Sequence, residues 1–129
     1  MNVDIENIAN AIIEAGGRIK TATIQFPDPH FKSKHAKRRV VTQDFVGAIA
    51  ASMLKTRVGD EHVFLQSDVK NVLDLMREEF RQNDSFVDTV SDAGDYLQEN
   101  FTGVPTEREN GVLEKGGDVY RSLFKLKPS

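Results

Sequence analysis

Ile19-Lys20-Thr21-Ala22-Thr23-Ile24-Gln25-Phe26-Pro27-Asp28-Pro29 opens as a run rich in β-branched residues and stops at a proline. β-branched side chains suit a pleated, packed surface, and proline cannot donate to a sheet ladder, so the stretch predicts a strand ending at Phe26. On its N-terminal side, Ile5, Ile8, Ala9, Ile12 and Ile13 recur at helical spacing before Gly16-Gly17, which predicts an amphipathic helix over 4–15. On the other side, Val41, Phe45, Ala48, Ile49 and Met53 mark one face of a second helix, with Gly59 beyond its end. His62-Val63-Phe64-Leu65-Gln66 reads as a short buried strand, and Ser67-Asp68 offers a helix cap for Val69, Val72, Leu73, Met76 and Phe80.

Helix, strand, helix, strand, helix is the order of an α/β domain with a mainly parallel sheet and right-handed crossovers. The tail departs from that rhythm. Phe86 to Val90 and Val119 to Leu126 are both strand-like, with a polar, partly helical stretch between them, and they predict a closing antiparallel pair at the sheet edge. No repeat, low-complexity tract or linker interrupts the 129 residues, so one unit over 1–129 is the economical organisation.

Composition narrows the chemistry. Hydrophobic residues at 39% and charged residues at 29% are those of a globular domain. Without cysteine the chain can form neither disulfides nor a cysteine-based zinc site, and His30, His35 and His62 lack metal-ligand spacing, so no metal is expected. No apolar run of about 18 residues is present, so no membrane partner is expected. The formal charge of -3 conceals a segregation: Lys32, Lys34, Lys37, Arg38 and Arg39 form a basic run, and no acidic residue occurs between His30 and Gln43.

Asp28 follows a strand predicted to be parallel and central, and open α/β sheets bind ligands beyond the carboxyl ends of their strands. The flanking prolines restrict the turn that carries it. Asp28 therefore reads either as a plain turn residue or as a site carboxylate. The cations after it read either as a solvated helix start or localisation signal, or as contacts to phosphates. Asp68 follows its strand as Asp28 follows the first, and reads either as a helix cap or as a second carboxylate at the same edge. Thr106-Glu107-Arg108-Glu109 after Pro105 reads as a capping box, with Glu109 reaching back to Thr106.

Taken whole, Phe26-Pro27-Asp28-Pro29-His30-Phe31-Lys32-Ser33-Lys34-His35-Ala36-Lys37-Arg38-Arg39-Val40-Val41 resembles the signature of the tRNA (guanine-N7) methyltransferases. Gln66-Ser67-Asp68 and Thr106-Glu107-Arg108-Glu109 are similar to that family's next two motifs, in the same order. The His30-Phe31 pair stands where many bacterial members have Trp-His, and looks more like the plant and cyanobacterial branch. The resemblance implies the C-terminal portion of a Rossmann-like class I methyltransferase fold, hence a single partial methyltransferase domain. It implies methyl transfer from S-adenosyl-L-methionine to N7 of guanine 46 in tRNA.

Carried over residue by residue, the resemblance makes Asp28 the catalytic, cofactor-adjacent carboxylate. Lys32 and Asp68 would touch the nucleoside, and Thr106, Glu107, Arg108 and Glu109 would complete the pocket. Asn2 would stand near the adenine, while Lys34, Lys37, Arg38 and Arg39 would grip the tRNA backbone. The glycine-rich loop that cradles the cofactor in the family has no counterpart in this sequence, so the chain is expected to be a fragment. A non-catalytic RNA-binding remnant and an interaction domain with a Lys-Arg-Arg localisation signal are the competing readings.

Overall fold

The computed structural model describes residues 16–27, 41–90 and 95–128. The helix expected over 4–15, and Asn2, Asp28, Lys32, Lys34, Lys37, Arg38 and Arg39, lie outside the described residues. Within them run β1 (Thr21–Gln25), α1 (Gln43–Lys55), β2 (His62–Ser67), α2 (Lys70–Arg81), β3 (Phe86–Asp88), α3 (Glu107–Glu114) and β4 (Tyr120–Leu126). The strands form one sheet in the order β1-β2-β4-β3.

The sheet is mixed rather than mainly parallel. β1 and β2 pair in parallel, as a strand-helix-strand unit requires, but β4 runs antiparallel to β2 on one side and to β3 on the other. β1, β2 and β3 therefore share one direction and β4 alone is reversed. Inserted between two co-directional strands, β4 turns what would have been a parallel neighbour pair into two antiparallel ones. The expected β3–β4 pairing at the edge is present, although β3 stops at Asp88, beyond which the Thr89 amide and hydroxyl both donate to the Leu123 carbonyl, at 3.0 and 2.8 Å.

Strand alternation sorts the side chains onto two faces. Ala22 and Ile24 of β1, Val63 and Leu65 of β2, and Phe124 and Leu126 of β4 pack against Val46, Ile49 and Met53 of α1 and Val72, Leu73, Met76 and Phe80 of α2. Each such burial contributes about 1.5–3 kcal/mol before conformational entropy is charged against it. The opposite face carries His62, Phe64 and Gln66 of β2 and Arg121 and Leu123 of β4, with Phe101 over His62 and Phe64 at centroid distances of 5.1 and 6.5 Å.

α1 begins directly after Thr42, whose hydroxyl accepts from the Phe45 amide. α2 does not use Ser67 or Asp68 as its cap: Val69 is the N-cap, without a side-chain capping bond. The Ser67 hydroxyl accepts the Val69 amide at 3.1 Å, one step too early, and Asp68 is left for a different partner.

A candidate site at the carboxyl ends of β1 and β2

β1 and β2 end side by side, with Gln25 opposite Gln66 in the parallel register. β4 begins at the same edge, with Arg121 opposite Gln66. Directly after β1, Phe26 donates its amide to the Gln66 carbonyl at 2.8 Å while adopting φ 53°, a left-handed backbone that a bulky residue rarely takes. The chain thus turns sharply at this edge before entering Pro27.

The second and third motifs meet here. Arg108, in the first turn of α3, donates to the Asp68 carboxylate at 2.9 Å, and both are accessible to solvent. Thr106 caps α3 by accepting the Glu109 amide at 3.0 Å. The return half of the expected capping box is absent, because the Glu109 carboxylate points inward. Its Oε1 accepts from Gln66 Nε2 at 3.0 Å and Asn100 Nδ2 at 2.7 Å, and its Oε2 from Arg121 Nη2 at 3.0 Å. A buried guanidinium and two amides outcompete one backbone amide for an anion. Glu107 is exposed on the same turn.

Gln66, Glu109 and Arg121 are 0%, 4% and 8% exposed, so this is an interior polar cluster at the floor of the edge. Burial works against ionisation of Glu109, but hydrogen bonds from Asn100, Gln66 and Arg121, and the arginine's charge, outweigh it and hold its pKa below the ordinary value. The sequence reading missed Gln25, Asn100 and Arg121. The available signal was a polar side chain at the end of each otherwise apolar strand, since such groups are buried only with partners.

For S-adenosylmethionine the described residues do not make a fitting receptacle. No described glycine lies at the ends of β1 or β2, and the buried carboxylate of Glu109 is saturated by protein donors. Asn2 and Asp28, the positions expected to face the cofactor, lie outside the described residues. No group of three His, Cys, Asp or Glu among the described residues could hold a metal ion, and none of their helices is long and apolar enough to cross a membrane.

A family model described as putative methyltransferase matches residues 2–122. A tRNA (guanine-N(7)-)-methyltransferase of Microcystis aeruginosa is 46% identical over 105 residues, covering 81% of this chain and 47% of that protein. Its counterpart in Synechococcus elongatus is 42% identical over 128 residues, covering 99% of this chain and 56% of the relative. The chain spans about half the length of the curated relatives it matches.

Proposed function

This chain belongs to the putative methyltransferase family, and from that premise we propose that it carries the substrate-binding part of a tRNA (guanine-N7) methyltransferase site. The modified base would be guanine 46, and the architecture a Rossmann-like class I methyltransferase fold. What favours that fold is the β1-α1-β2-α2-β3 succession with all three strands pointing one way. The observation that carries the substrate reading is the meeting of Asp68 with Arg108, from two motifs 40 residues apart, at the edge where β1 ends before Pro27.

Guanine N7 has a free lone pair, so methylation needs no prior proton removal, and positioning with electrostatics is the protein's task. In this proposal Asp28 accepts hydrogen bonds from the N1 and N2 edge of the base and favours its cationic character as the methyl group arrives. Lys32 and Asp68 hold the nucleoside, and Thr106 to Arg108 close the pocket beside it. Lys34, Lys37, Arg38 and Arg39 grip backbone phosphates and so offset the few kcal/mol needed to expose a base. S-adenosylmethionine is the expected methyl donor, and Asn2 and Asp28 would contact it.

Methyl incorporation into an unmodified tRNA transcript, with Asp28→Asn compared against the wild-type chain, tests the assignment. Asp28→Asn is expected to lose at least tenfold in turnover, and near-normal turnover would refute the role of Asp28. A non-catalytic RNA-binding remnant is the competing reading. It predicts tRNA binding with no heat on titrating S-adenosylmethionine into the chain.

A further inference from the structure

We propose that Arg121 is a positioning residue of this edge, one guanidinium that sets the relative placement of the three segments bearing the candidate substrate contacts. Its functional consequence rests on the substrate reading above, and its geometry does not. Arg121 Nε donates to Gln66 Oε1 at 2.6 Å, Nη2 to Glu109 Oε2 at 3.0 Å and Nη1 to the Gln98 carbonyl at 2.6 Å. Gln66 passes the connection on, its Nε2 donating to Gln25 Oε1 at 2.8 Å as well as to Glu109. Asn100 then ties the 98–100 segment to Glu109 a second time.

Asp28, Asp68 and Thr106 to Arg108 each stand within three residues in sequence of a member of this cluster, while Lys32 stands seven beyond Gln25. Gln25 precedes Pro27 and Asp28 in the sequence, Gln66 precedes Asp68, and Glu109 follows Arg108. Gln66, Glu109 and Arg121 sit in the interior and Gln25 and Asn100 are partly buried, with Gln66 and Arg121 on the sheet face away from α1 and α2. A buried ion pair is a poor source of net stability, because desolvation cancels most of its attraction, and apolar residues of equal volume often serve stability better. What the guanidinium supplies that an apolar side chain cannot is a planar fork with fixed angles between its partners. Glu109 accordingly acts through Arg121 and Gln66, whereas the resemblance gives it a direct contact with the nucleoside.

Arg121→Lys separates geometry from charge, since one ammonium cannot reach three acceptors in different directions. In the full chain, three amides report the coupling: Phe26, bonded to the Gln66 carbonyl, Leu97, bonded to the Arg121 carbonyl, and Glu109, bonded to Thr106. Hydrogen exchange at these three is expected to quicken at least tenfold in Arg121→Lys while α2 amides keep their rates. Turnover on an unmodified tRNA transcript should fall about tenfold with KM for tRNA within twofold. Glu109→Gln, which preserves shape and removes one charge, should show the same pattern more weakly, and decides the matter if the lysine variant fails to fold. Unchanged exchange at the three amides, or an equal rise throughout α2, overturns the proposal. A wild-type chain that transfers no methyl group would instead overturn the substrate reading and leave exchange to judge Arg121.

Discussion

The guanidinium of Arg108 stands 2.9 Å from the carboxylate of Asp68, linking the first turn of α3 to the end of β2. At 62% and 22% side-chain exposure the pair is largely solvated, and such pairs contribute about 0–1 kcal/mol. Neither residue is therefore held in place by stability alone. Arg108→Ala and Asp68→Asn should each shift the melting temperature by less than about 5 °C. Asp68→Asn should nevertheless reduce methyl transfer at least tenfold. Side-by-side melting and transfer assays check this, and a large drop in melting temperature would recast the pair as structural.

The opposite expectation holds for Arg77 and Asp88. Arg77 Nε lies 2.7 Å and Arg81 Nη2 2.8 Å from the same Asp88 oxygen, and Arg77 and Asp88 are 4% and 8% exposed at their side chains. Arg77 also donates to the carbonyls of Asp95 and Val90, so it staples α2 to the chain after β3. Asp88→Ala removes the buried carboxylate that Arg77 and Arg81 share, which costs about 3–5 kcal/mol. Urea unfolding should show the midpoint falling with an unchanged slope. A loss below about 1 kcal/mol would mean that Arg77 finds another anion.

Acid should weaken the fold through two carboxylates. Burial opposes ionisation of Glu61, but the amides of Val58 and Gly59, its own amide and the charge of Arg18 prevail, and Glu109 is held in the same sense by Asn100, Gln66 and Arg121. A carboxyl whose pKa is lower in the folded chain binds fewer protons there. Its stabilisation is thus complete above the ordinary value of 4.5 and fades as pH falls through the folded pKa. Unfolding midpoints should hold near neutrality and drop below about pH 4.5, with Glu61→Gln and Glu109→Gln each removing part of the drop. A midpoint independent of pH across that range would contradict both assignments.

How far the sequence reaches can be judged from particular residues. β1, β2 and β4 lie within two residues of their expected limits, because β-branched runs and Pro27 mark strands locally. The face of α2 follows from spacing for the same reason, whereas α1 shares only Ile49 and Met53 with its expected face and buries Val46, Ala50 and Ser52 beside them. Strand order is different: the antiparallel pairing of β3 with β4 was expected, but period-two alternation does not name a strand's neighbours, so the place of β4 between β2 and β3 was not written in any local pattern. At the site, Asp68, Thr106 and Glu109 were legible as residues of interest, while Glu109's partners were not. Thr106-Glu107-Arg108-Glu109 satisfies a local capping rule, and a guanidinium from β4 overrides half of it.

Phe26 was least legible of all, since a residue before proline is expected to be extended. Its φ of 53° should reverse the usual ranking of small replacements. In an extended strand, alanine outperforms glycine by about 0.5–1 kcal/mol. In the left-handed region an L-residue pays about 1–2 kcal/mol that glycine avoids. Phe26→Gly should accordingly unfold at higher urea than Phe26→Ala, by about 1 kcal/mol after conversion. Methyl transfer should rank the two variants the other way, because glycine loosens the chain between β1 and Pro27. If alanine proves the more stable, Phe26 is extended in solution and the sharp exit from β1 is not where the strain resides.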